Sequence, residues 1–343
     1  MWIAGIILNQ ANWHVRLQRN TQSEGQEKMQ FVSATGLGAL YQADCLDLLG
    51  AIPDSSVHTV FADPPFNLGK DYGENGSDHR PDDQYLLWCY QWLDQCCRIL
   101  VPGGALFVYN LPKWLIQFGA HLDAHQMSFK HWIAIYKPTS LPIPNRLSPS
   151  HYGLLYYVKG DKPRYFDRER IRVEIRTCRH CHKDIKDYGG HRKHINSKGL
   201  NLGDVWDDVP SVRHRKYKNR PANELAPIVV ERALLMSSKR GDVVVDPFGG
   251  SGTTASVAES LGRKWITCDL NDCSIARDRV GSGGIAGSIF DRASTPRLPK
   301  AFSLLRNMLP AAENPIIGSE IAVGPLSVLP CNSASGGLTE ASL

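Results

Sequence analysis

Short apolar runs alternate with helix-like segments along most of the chain, and this alternation constrains the fold more than any other feature. Val57 to Ala62 and Asp242 to Val245 have the length and apolar character of strands buried on both faces. Helix-like segments, such as Tyr85 to Leu100 and Glu224 to Met236, lie between such runs. The alternation favours an α/β fold, in which a mostly parallel sheet carries helices on both faces and binds ligands at the carboxyl ends of its strands.

The composition excludes several classes of protein. The chain has 343 residues, 42% of them hydrophobic and 21% charged, which is too apolar for a disordered chain. No run approaches the roughly 18 apolar residues that a membrane span needs. We expect no signal peptide, because the apolar run from Trp2 to Leu8 lacks the flanking signals. The nine cysteines follow no disulfide spacing, which predicts reduced thiols and a cytoplasmic protein.

Positive charge is concentrated in one segment of the chain. Residues 159–220 contain 18 Lys and Arg against 9 Asp and Glu, although the net charge of the whole chain is only +5. Aromatic residues such as Trp206 are interleaved with these charges. Because cations bind phosphates and flat rings stack on bases, the segment predicts a nucleic-acid-binding surface. A solvated loop region that is merely basic is the alternative.

The first candidate site is the turn Asp63-Pro64-Pro65-Phe66, which directly follows the first of these strands. Two successive prolines remove two N–H donors, so we expect the turn to present its carbonyls outward beside the Asp63 carboxylate. This set of acceptors suits an exocyclic amine on a flat heterocycle. The amine would donate to Asp63 and to the Pro64 carbonyl, and the ring would stack on Phe66. A plain surface turn is the alternative.

The second candidate site is the glycine-rich loop from Asp246 to Thr254, which lies between a predicted strand and a predicted helix. Gly250-x-Gly252-x-x-Ala255 fits the dinucleotide fingerprint, and Asp269 follows where a ribose diol would be held. An NAD-dependent oxidoreductase is therefore a rival interpretation. Against it, the carboxylate before the glycines suits the ammonium group of S-adenosylmethionine better than a pyrophosphate. The loop has no Gly-Lys-Ser/Thr, which excludes a P-loop.

The two motifs, in this order, resemble those of the amino-methylating DNA methyltransferases with the β-group motif order, over about Ala39 to Arg279. The resemblance implies a Rossmann-like, circularly permuted fold with an inserted basic recognition region. It also implies site-specific methyl transfer from S-adenosylmethionine to double-stranded DNA by direct in-line attack. The implied target is adenine N6, because Asp at the position of Asp63 goes mostly with adenine in this family. Cytosine N4 is the alternative base, and an inactive DNA-binding module is a less favoured alternative. The sequence leaves open a separately encoded restriction endonuclease and the oligomeric state.

The resemblance also assigns roles to individual residues. The catalytic motif corresponds to Asp63, Pro64, Pro65 and Phe66. The cofactor-binding set corresponds to Asp44, Asp246, Phe248, Gly249, Gly250, Ser251, Gly252, Thr253 and Asp269. Asp269 stands where the family commonly has Glu, and either carboxylate can accept hydrogen bonds from ribose hydroxyls.

This interpretation divides the chain into five parts. An irregular extension, residues 1–38, precedes the catalytic half of the methyltransferase domain, residues 39–158. The basic target-recognition region, residues 159–220, separates it from the cofactor-binding half, residues 221–280. A loosely ordered tail, residues 281–343, completes the chain.

No metal ligand is assigned from the sequence, although one segment invites a zinc interpretation. Cys178-x2-Cys181 is followed by His191-x2-His194, whose spacing is one residue shorter than that of the usual zinc finger. We expect these histidines to belong to the basic surface, and a bound zinc is the alternative.

The basic segment generates a first prediction. Replacing Arg213, Arg215, Lys216 and Lys218 together by Gln should weaken DNA binding and flatten its dependence on salt. Each lost phosphate contact removes about 0.9 from the slope of log affinity against log salt. Fluorescence anisotropy over a range of salt concentrations measures that slope. The control variant loses the same number of charges after residue 290, and an unchanged slope in the test variant would place the DNA elsewhere.

Overall fold

The structure, a computed structural model, describes most of the chain between residues 29 and 281. The described ranges are 29–69, 79–137, 144–145, 147–173, 200–210 and 225–281. Large parts of the basic segment, including the Cys178 and Cys181 pair, and the tail beyond Gly281 therefore lie outside the described residues.

Nine strands in the described ranges form one sheet, in the order β1-β2-β9-β8-β3-β4-β6-β5-β7. The strands are β1 Met29–Ala34, β2 Gly38–Ala43, β3 Val57–Ala62, β4 Leu100–Asn110, β5 Met127–Tyr136, β6 His151–Lys159, β7 Val205–Trp206, β8 Val243–Asp246 and β9 Lys264–Asp269. The five neighbouring strands from β2 to β4 in this order run parallel. Strands β1 and β6 pair antiparallel with their neighbours. The sheet is mostly parallel, which confirms the predicted α/β fold.

Six α-helices in the described residues cover the two faces of this sheet. They are α1 Cys45–Ala51, α2 Asp82–Ile99, α3 Pro112–Asp123, α4 Pro227–Ser237, α5 Thr253–Ser260 and α6 Ser274–Gly281. Helices α1, α2 and α3 contribute to one apolar core, and α4, α5 and α6 contribute to the other. Strand β3 shows the division, because its successive residues Val60 and Phe61 are buried in opposite cores. Fully burying one such side chain stabilises the fold by about 1.5–3 kcal/mol.

Two strands lie within segments for which the sequence predicts no strand. The predicted irregular extension reaches residue 38, but Met29–Ala34 forms edge strand β1 against β2. An edge strand buries little of its surface and can contain polar residues, so Met29–Ala34 lacks the apolar pattern that predicts a strand. Within the basic segment, Val205–Trp206 forms β7 and extends the sheet beside β5. Trp206 is buried and its ring packs under Arg232, so it belongs to the core and is not a free platform for bases.

The helices and cysteines of the described residues agree with two expectations from the sequence. No helix in these ranges has the length and apolar character that crossing a membrane requires. All six cysteines in the same ranges are buried and form no disulfide. Burial raises the pKa of each of these thiols, which leaves them protonated and unreactive at neutral pH.

The four neighbouring parallel strands β2, β9, β8 and β3 each end in an aspartate. Asp44 and Asp63 directly follow β2 and β3, and Asp269 and Asp246 are the last residues of β9 and β8. Because parallel strands end at the same edge, all four carboxylates lie along one edge of the sheet. Neighbouring strands are about 4.8 Å apart, so this acidic edge extends over about 15 Å.

The opposite edge of the sheet carries a separate polar cluster at the amino ends of β3 and β8. Asp242 accepts hydrogen bonds from the Arg164 guanidinium at 2.8 and 3.1 Å and from the Lys239 amide at 2.8 Å. Burial on its own would raise the pKa of Asp242, but these donors and His58 lower it on balance. The Val243 amide donates to His58 Nδ1 at 3.0 Å. Burial lowers the pKa of His58, and Asp242 opposes this effect only in part.

This cluster predicts a loss of stability in mild acid. Since the pKa of His58 is lower in the folded chain than its unfolded value of about 6.5, the unfolded chain takes up the proton more readily. The contribution of neutral His58 is therefore complete above about pH 6.5 and declines as the pH falls through the folded pKa. Urea unfolding at pH 7 and pH 5 should show a smaller difference for His58→Gln than for the unsubstituted protein. His131→Gln, at an exposed histidine of β5, should keep the full difference, and an unchanged difference in His58→Gln would contradict the assignment.

Candidate active site

A cleft at the acidic edge brings the two loops singled out in the sequence together. Strands β3 and β8 are hydrogen-bonded neighbours, so the turn after β3 and the loop after β8 leave the sheet side by side. The residues that line the cleft are Asp63, Leu225, Asp246, Phe248, Gly249, Ser251, Thr253 and Thr254. The predicted amine-binding carboxylate and the predicted cofactor loop thus share one cavity.

The backbone of the glycine-rich loop needs the absence of side chains at two positions. A Cβ atom on Gly249 would lie 2.5 Å from Thr267 Oγ1, so only glycine allows this close packing against β9. Gly252 has a φ of 76° and precedes the first residue of α5. This left-handed conformation is strained for other residues. The loop therefore turns sharply and begins α5 with its amino terminus at the cleft.

Arg279 holds the start of this helix from α6. Its Nη1 donates to the Ser251 carbonyl at 3.0 Å and lies 2.9 Å from Ser251 Oγ and 2.8 Å from Thr253 Oγ1. Both partners line the cleft. Sequence reasoning did not single out Arg279, because a lone arginine in a short polar helix gives no signal of a partner 26 residues away.

The carboxylates of the acidic edge are fixed by backbone amides. Asp246 Oδ1 accepts from the Phe248 amide at 2.9 Å. Asp269 accepts from the Gly250 amide at 2.8 Å and from the Asn271 amide at 3.0 Å. Asp44 caps α1 by accepting from the amide two residues on, at 2.8 Å. These contacts orient the carboxylates, whose oxygens can each accept more than one hydrogen bond.

Asp44 and Asp269 do not line the cleft around Asp63. They lie on β2 and β9, which are two strands and one strand further along the edge than β8. The structure thus brings Asp246 and the glycine loop together with Asp63, and it distributes the other two predicted carboxylates along the same edge.

Side chains of α2 and α3 hydrogen-bond to the backbone of the turn after β3. Tyr85 Oη donates to the Pro65 carbonyl at 2.6 Å, and Asn110 Nδ2 donates to Tyr85 Oη at 3.1 Å. The Nε1 of Trp114 donates to the carbonyl of Phe66 at 2.9 Å. The expectation that the whole turn presents its carbonyls outward is therefore wrong for two of them, because side chains of α2 and α3 donate hydrogen bonds to these carbonyls.

The Pro64 carbonyl differs from these two and is compatible with the predicted role. Pro64 is buried, and no residue within the described ranges donates a hydrogen bond to its carbonyl. This oxygen and the neighbouring Asp63 carboxylate are the two acceptors that an exocyclic amine would need.

Two tyrosines that the sequence analysis did not identify extend the aromatic surface of this turn. The Phe66 ring lies 5.8 Å from the ring of Tyr109 and 5.7 Å from that of Tyr152. Burial raises the pKa of Tyr109 well above its ordinary value, and the negative charge of Asp63 raises it further. Lys137 Nζ lies 3.3 Å from Tyr152 Oη and 5.0 Å from its ring centre. The positions of both tyrosines in their strands could have indicated this location. Tyr109 lies near the end of β4 and Tyr152 near the start of antiparallel β6, and both of these strand ends lie at the acidic edge.

Comparison with known proteins is consistent with this geometry. The N6_N4_Mtase family, described as DNA methylase, matches residues 57–277. The chain belongs to this family of DNA methylases.

Two curated relatives of this chain are Type II methyltransferases. M.BamHI of Bacillus amyloliquefaciens is 50% identical over 246 residues, which are 72% of this chain and 57% of the relative. M.HpaI of Haemophilus parainfluenzae is 31% identical over 244 residues, which are 70% of this chain and 73% of the relative. The chain thus spans little more than half the length of M.BamHI. The motif resemblance found in the sequence is confirmed at the level of the family.

A solved structure supports the fold of the methylase. The PvuII DNA methyltransferase, which is cytosine-N4-specific, aligns with a TM-score of 0.50 at 19% identity. The alignment covers 76% of this chain and 93% of the PvuII enzyme. At this identity, the similarity establishes the fold alone.

The hydrogen bond from Tyr85 to the Pro65 carbonyl generates a prediction about stability. Tyr85→Phe removes the donor to the half-buried Pro65 carbonyl and the acceptor of the buried Asn110 amide, so the free energy of unfolding should fall by about 1–3 kcal/mol. Urea unfolding at constant pH measures the change. Tyr90→Phe is the matched control on the same helix, because no residue of the described ranges hydrogen-bonds to the Tyr90 hydroxyl. Equal losses in the two variants would contradict the role given to the Tyr85 hydroxyl.

Proposed function

We propose that this methylase transfers a methyl group from S-adenosylmethionine to an exocyclic amine of a base in a specific DNA sequence. The observation that carries the proposal is the shared cleft, in which the Asp63 turn faces the loop after β8. One loop offers acceptors for an amine, and the other offers a backbone cradle for a small ligand. A methyl donor and a methyl acceptor need this proximity.

The charge of the cleft supports S-adenosylmethionine over a dinucleotide. Asp63 and Asp246 line the cleft, and none of its described lining residues is cationic. The ammonium and sulfonium groups of S-adenosylmethionine are positive, whereas a pyrophosphate would face two carboxylates. When bound, S-adenosylmethionine supplies an electrophilic methyl group. Asp269 and Asp44, further along the acidic edge, are the residues that we propose for its ribose and adenine.

The residues of the turn prepare the amine for attack. The lone pair of an aryl amine is delocalised into the ring, which makes the nitrogen a poor nucleophile. Hydrogen bonds from its two N–H groups to Asp63 and to the Pro64 carbonyl favour a pyramidal nitrogen with a localised lone pair. Phe66, supported by Tyr109 and Tyr152, supplies a surface on which the base stacks. Stacking offsets part of the cost, a few kcal/mol, of taking the base out of the duplex.

Adenine N6 is the base position that we propose. The reason is Asp63, since the family resemblance pairs Asp at this position with adenine, and a carboxylate is a stronger acceptor than a hydroxyl. Cytosine N4 is the second candidate, because it presents the same two N–H groups and because the PvuII enzyme with the same fold is cytosine-N4-specific.

Double-stranded DNA is the proposed substrate, and the basic segment is its proposed recognition surface. The segment is inserted in the sequence between the two halves of the cleft. M.BamHI and M.HpaI are both Type II methyltransferases. Their names support a role in restriction–modification, in which a separately encoded endonuclease is the partner of this methylase.

Two matched substitutions separate the proposed roles of the carboxylates. Asp63→Asn should lower methyl transfer by about 100-fold or more, because it weakens an acceptor needed in the transition state. It should leave the affinity for S-adenosylmethionine nearly unchanged. Asp269→Asn should have the opposite pattern and weaken cofactor binding first. Transfer of tritiated methyl to DNA and titration calorimetry measure the two properties.

The outcomes of this pair discriminate between the functions considered. Methyl transfer by Asp63→Asn within about tenfold of the unsubstituted protein, which is worth only about 1.4 kcal/mol, would contradict the role of Asp63. Binding of NAD without binding of S-adenosylmethionine would favour the oxidoreductase interpretation.

The product of the reaction tests the choice of base. DNA methylated by the protein is digested to nucleosides, and the modified nucleoside is identified by mass. We expect N6-methyladenine. N4-methylcytosine as the sole product would overturn the choice of adenine and leave the proposed cofactor and amine chemistry in place.

A further inference from the structure

A second cluster of chemically competent side chains lies between α2 and the end of α3, outside the cleft. It consists of Asp94 on α2, His121 in the last turn of α3, and His125, two residues after the end of α3. One potential ligand atom from each residue lies within 4.8 Å of the other two. The proposed methyl transfer uses none of these residues.

The hydrogen bonds of His125 determine which of its nitrogens carries a proton. Its Nδ1 lies 2.7 Å from the His121 carbonyl, which can only accept, so Nδ1 carries the hydrogen. In the neutral ring, Nε2 then has a free lone pair. This Nε2 faces Asp94 Oδ1 at 3.4 Å. A cation held between these two atoms would be bound by both of them.

His121 contacts the same oxygen, and its ring lies 4.2 Å from the ring of His125. Its Nε2 lies 2.7 Å from Asp94 Oδ1. The ring of Tyr90, one turn before Asp94 on α2, stacks on the imidazole at 4.2 Å with an angle of 8°. The stack holds the orientation of His121, and the hydrogen bond to the backbone carbonyl holds that of His125. Second contacts of this kind orient histidines that bind metals.

We propose that Asp94, His121 and His125 bind a divalent zinc ion. Two imidazoles and one carboxylate are a ligand set that zinc accepts, with water in the fourth position. Zinc–ligand bonds of about 2.0–2.2 Å in a tetrahedron separate the ligand atoms by about 3.3 Å. The distance of 3.4 Å between Asp94 and His125 already matches this value. The contact of 2.7 Å between Asp94 and His121 lengthens by about 0.6 Å when the ion replaces the shared proton.

The position of the cluster gives the ion a structural role. Helix α2 carries Tyr85 and α3 carries Trp114, the two donors that hold the turn after β3. Asp94 and His121 lie toward the other ends of the same two helices. A zinc ion between them ties the helices together and thereby supports the catalytic turn from a distance.

Zinc binding by the full chain tests the proposal. The protein is stripped with a chelator, and Zn²⁺ is titrated in competition with a chromophoric zinc indicator. Because Cys178 and Cys181 provide another potential zinc site, all variants are made in a Cys178→Ser, Cys181→Ser background. We expect one zinc ion per chain in this background. Asp94→Asn and His125→Gln should each weaken binding by about 100-fold or more, whereas His131→Gln, an exposed histidine outside the cluster, should not.

Two further measurements identify the ligands and guard against misfolding. Co²⁺ in the same background should give the visible bands of a tetrahedral site without thiolate charge transfer. Zinc should raise the melting temperature of the parent and of His131→Gln but not that of His125→Gln, whose melting temperature without zinc shows that it folds. Equal zinc affinity in the parent, Asp94→Asn and His125→Gln would overturn the proposal. The absence of any zinc bound in the serine background would do the same and leave the cluster as an aspartate–histidine ion pair.

Discussion

The parallel alignment of β2, β9, β8 and β3 is the constraint on which the rest of the molecule depends. Parallel strands end at one edge, and each of these four strands ends in an aspartate. Backbone amides at the start of the following turns or helices donate hydrogen bonds to the carboxylates of Asp44, Asp246 and Asp269. Each carboxylate therefore stabilises the chain reversal that creates the edge, and at the same time gives the edge its negative charge. Structure and ligand chemistry rest on the same side chains.

Helix α2 connects the two loops of the cleft through its buried face. Tyr85 near its start holds the Pro65 carbonyl. One turn and two turns further on, Trp88 and Trp92 pack against Phe248 of the glycine-rich loop at 5.8 and 5.2 Å. Trp92 thus belongs to the core and Trp88 packs against that core, and both side chains link α2 to the glycine-rich loop. A rigid helix beneath both loops provides the preorganisation that positioning chemistry needs.

The sequence allowed prediction of those features that depend on local patterns. The buried strand β3 and both loops follow from short runs of residues, and Asp63 and Asp246 needed only their places after strands to be assigned to one edge. The contacts of Arg279, Tyr85 and Trp114 could not be predicted in this way. Each of these side chains reaches a partner on another element, and nothing near it in the sequence specifies that partner. The predicted direction of the Pro65 and Phe66 carbonyls was wrong for the same reason, because their donors lie on α2 and α3.

The order of the strands has a consequence for the synthesis of the chain. Strands β2 and β3 leave the ribosome early, but they are not neighbours in the sheet, because β9 and β8 lie between them. Gly38 on β2 is paired with Trp265 on β9, so β2 and β3 are joined through the two strands that are translated last among the described strands. Pairing between strands that are so far apart in the sequence is slow. The cleft is consequently completed only after β8 and β9 have been translated.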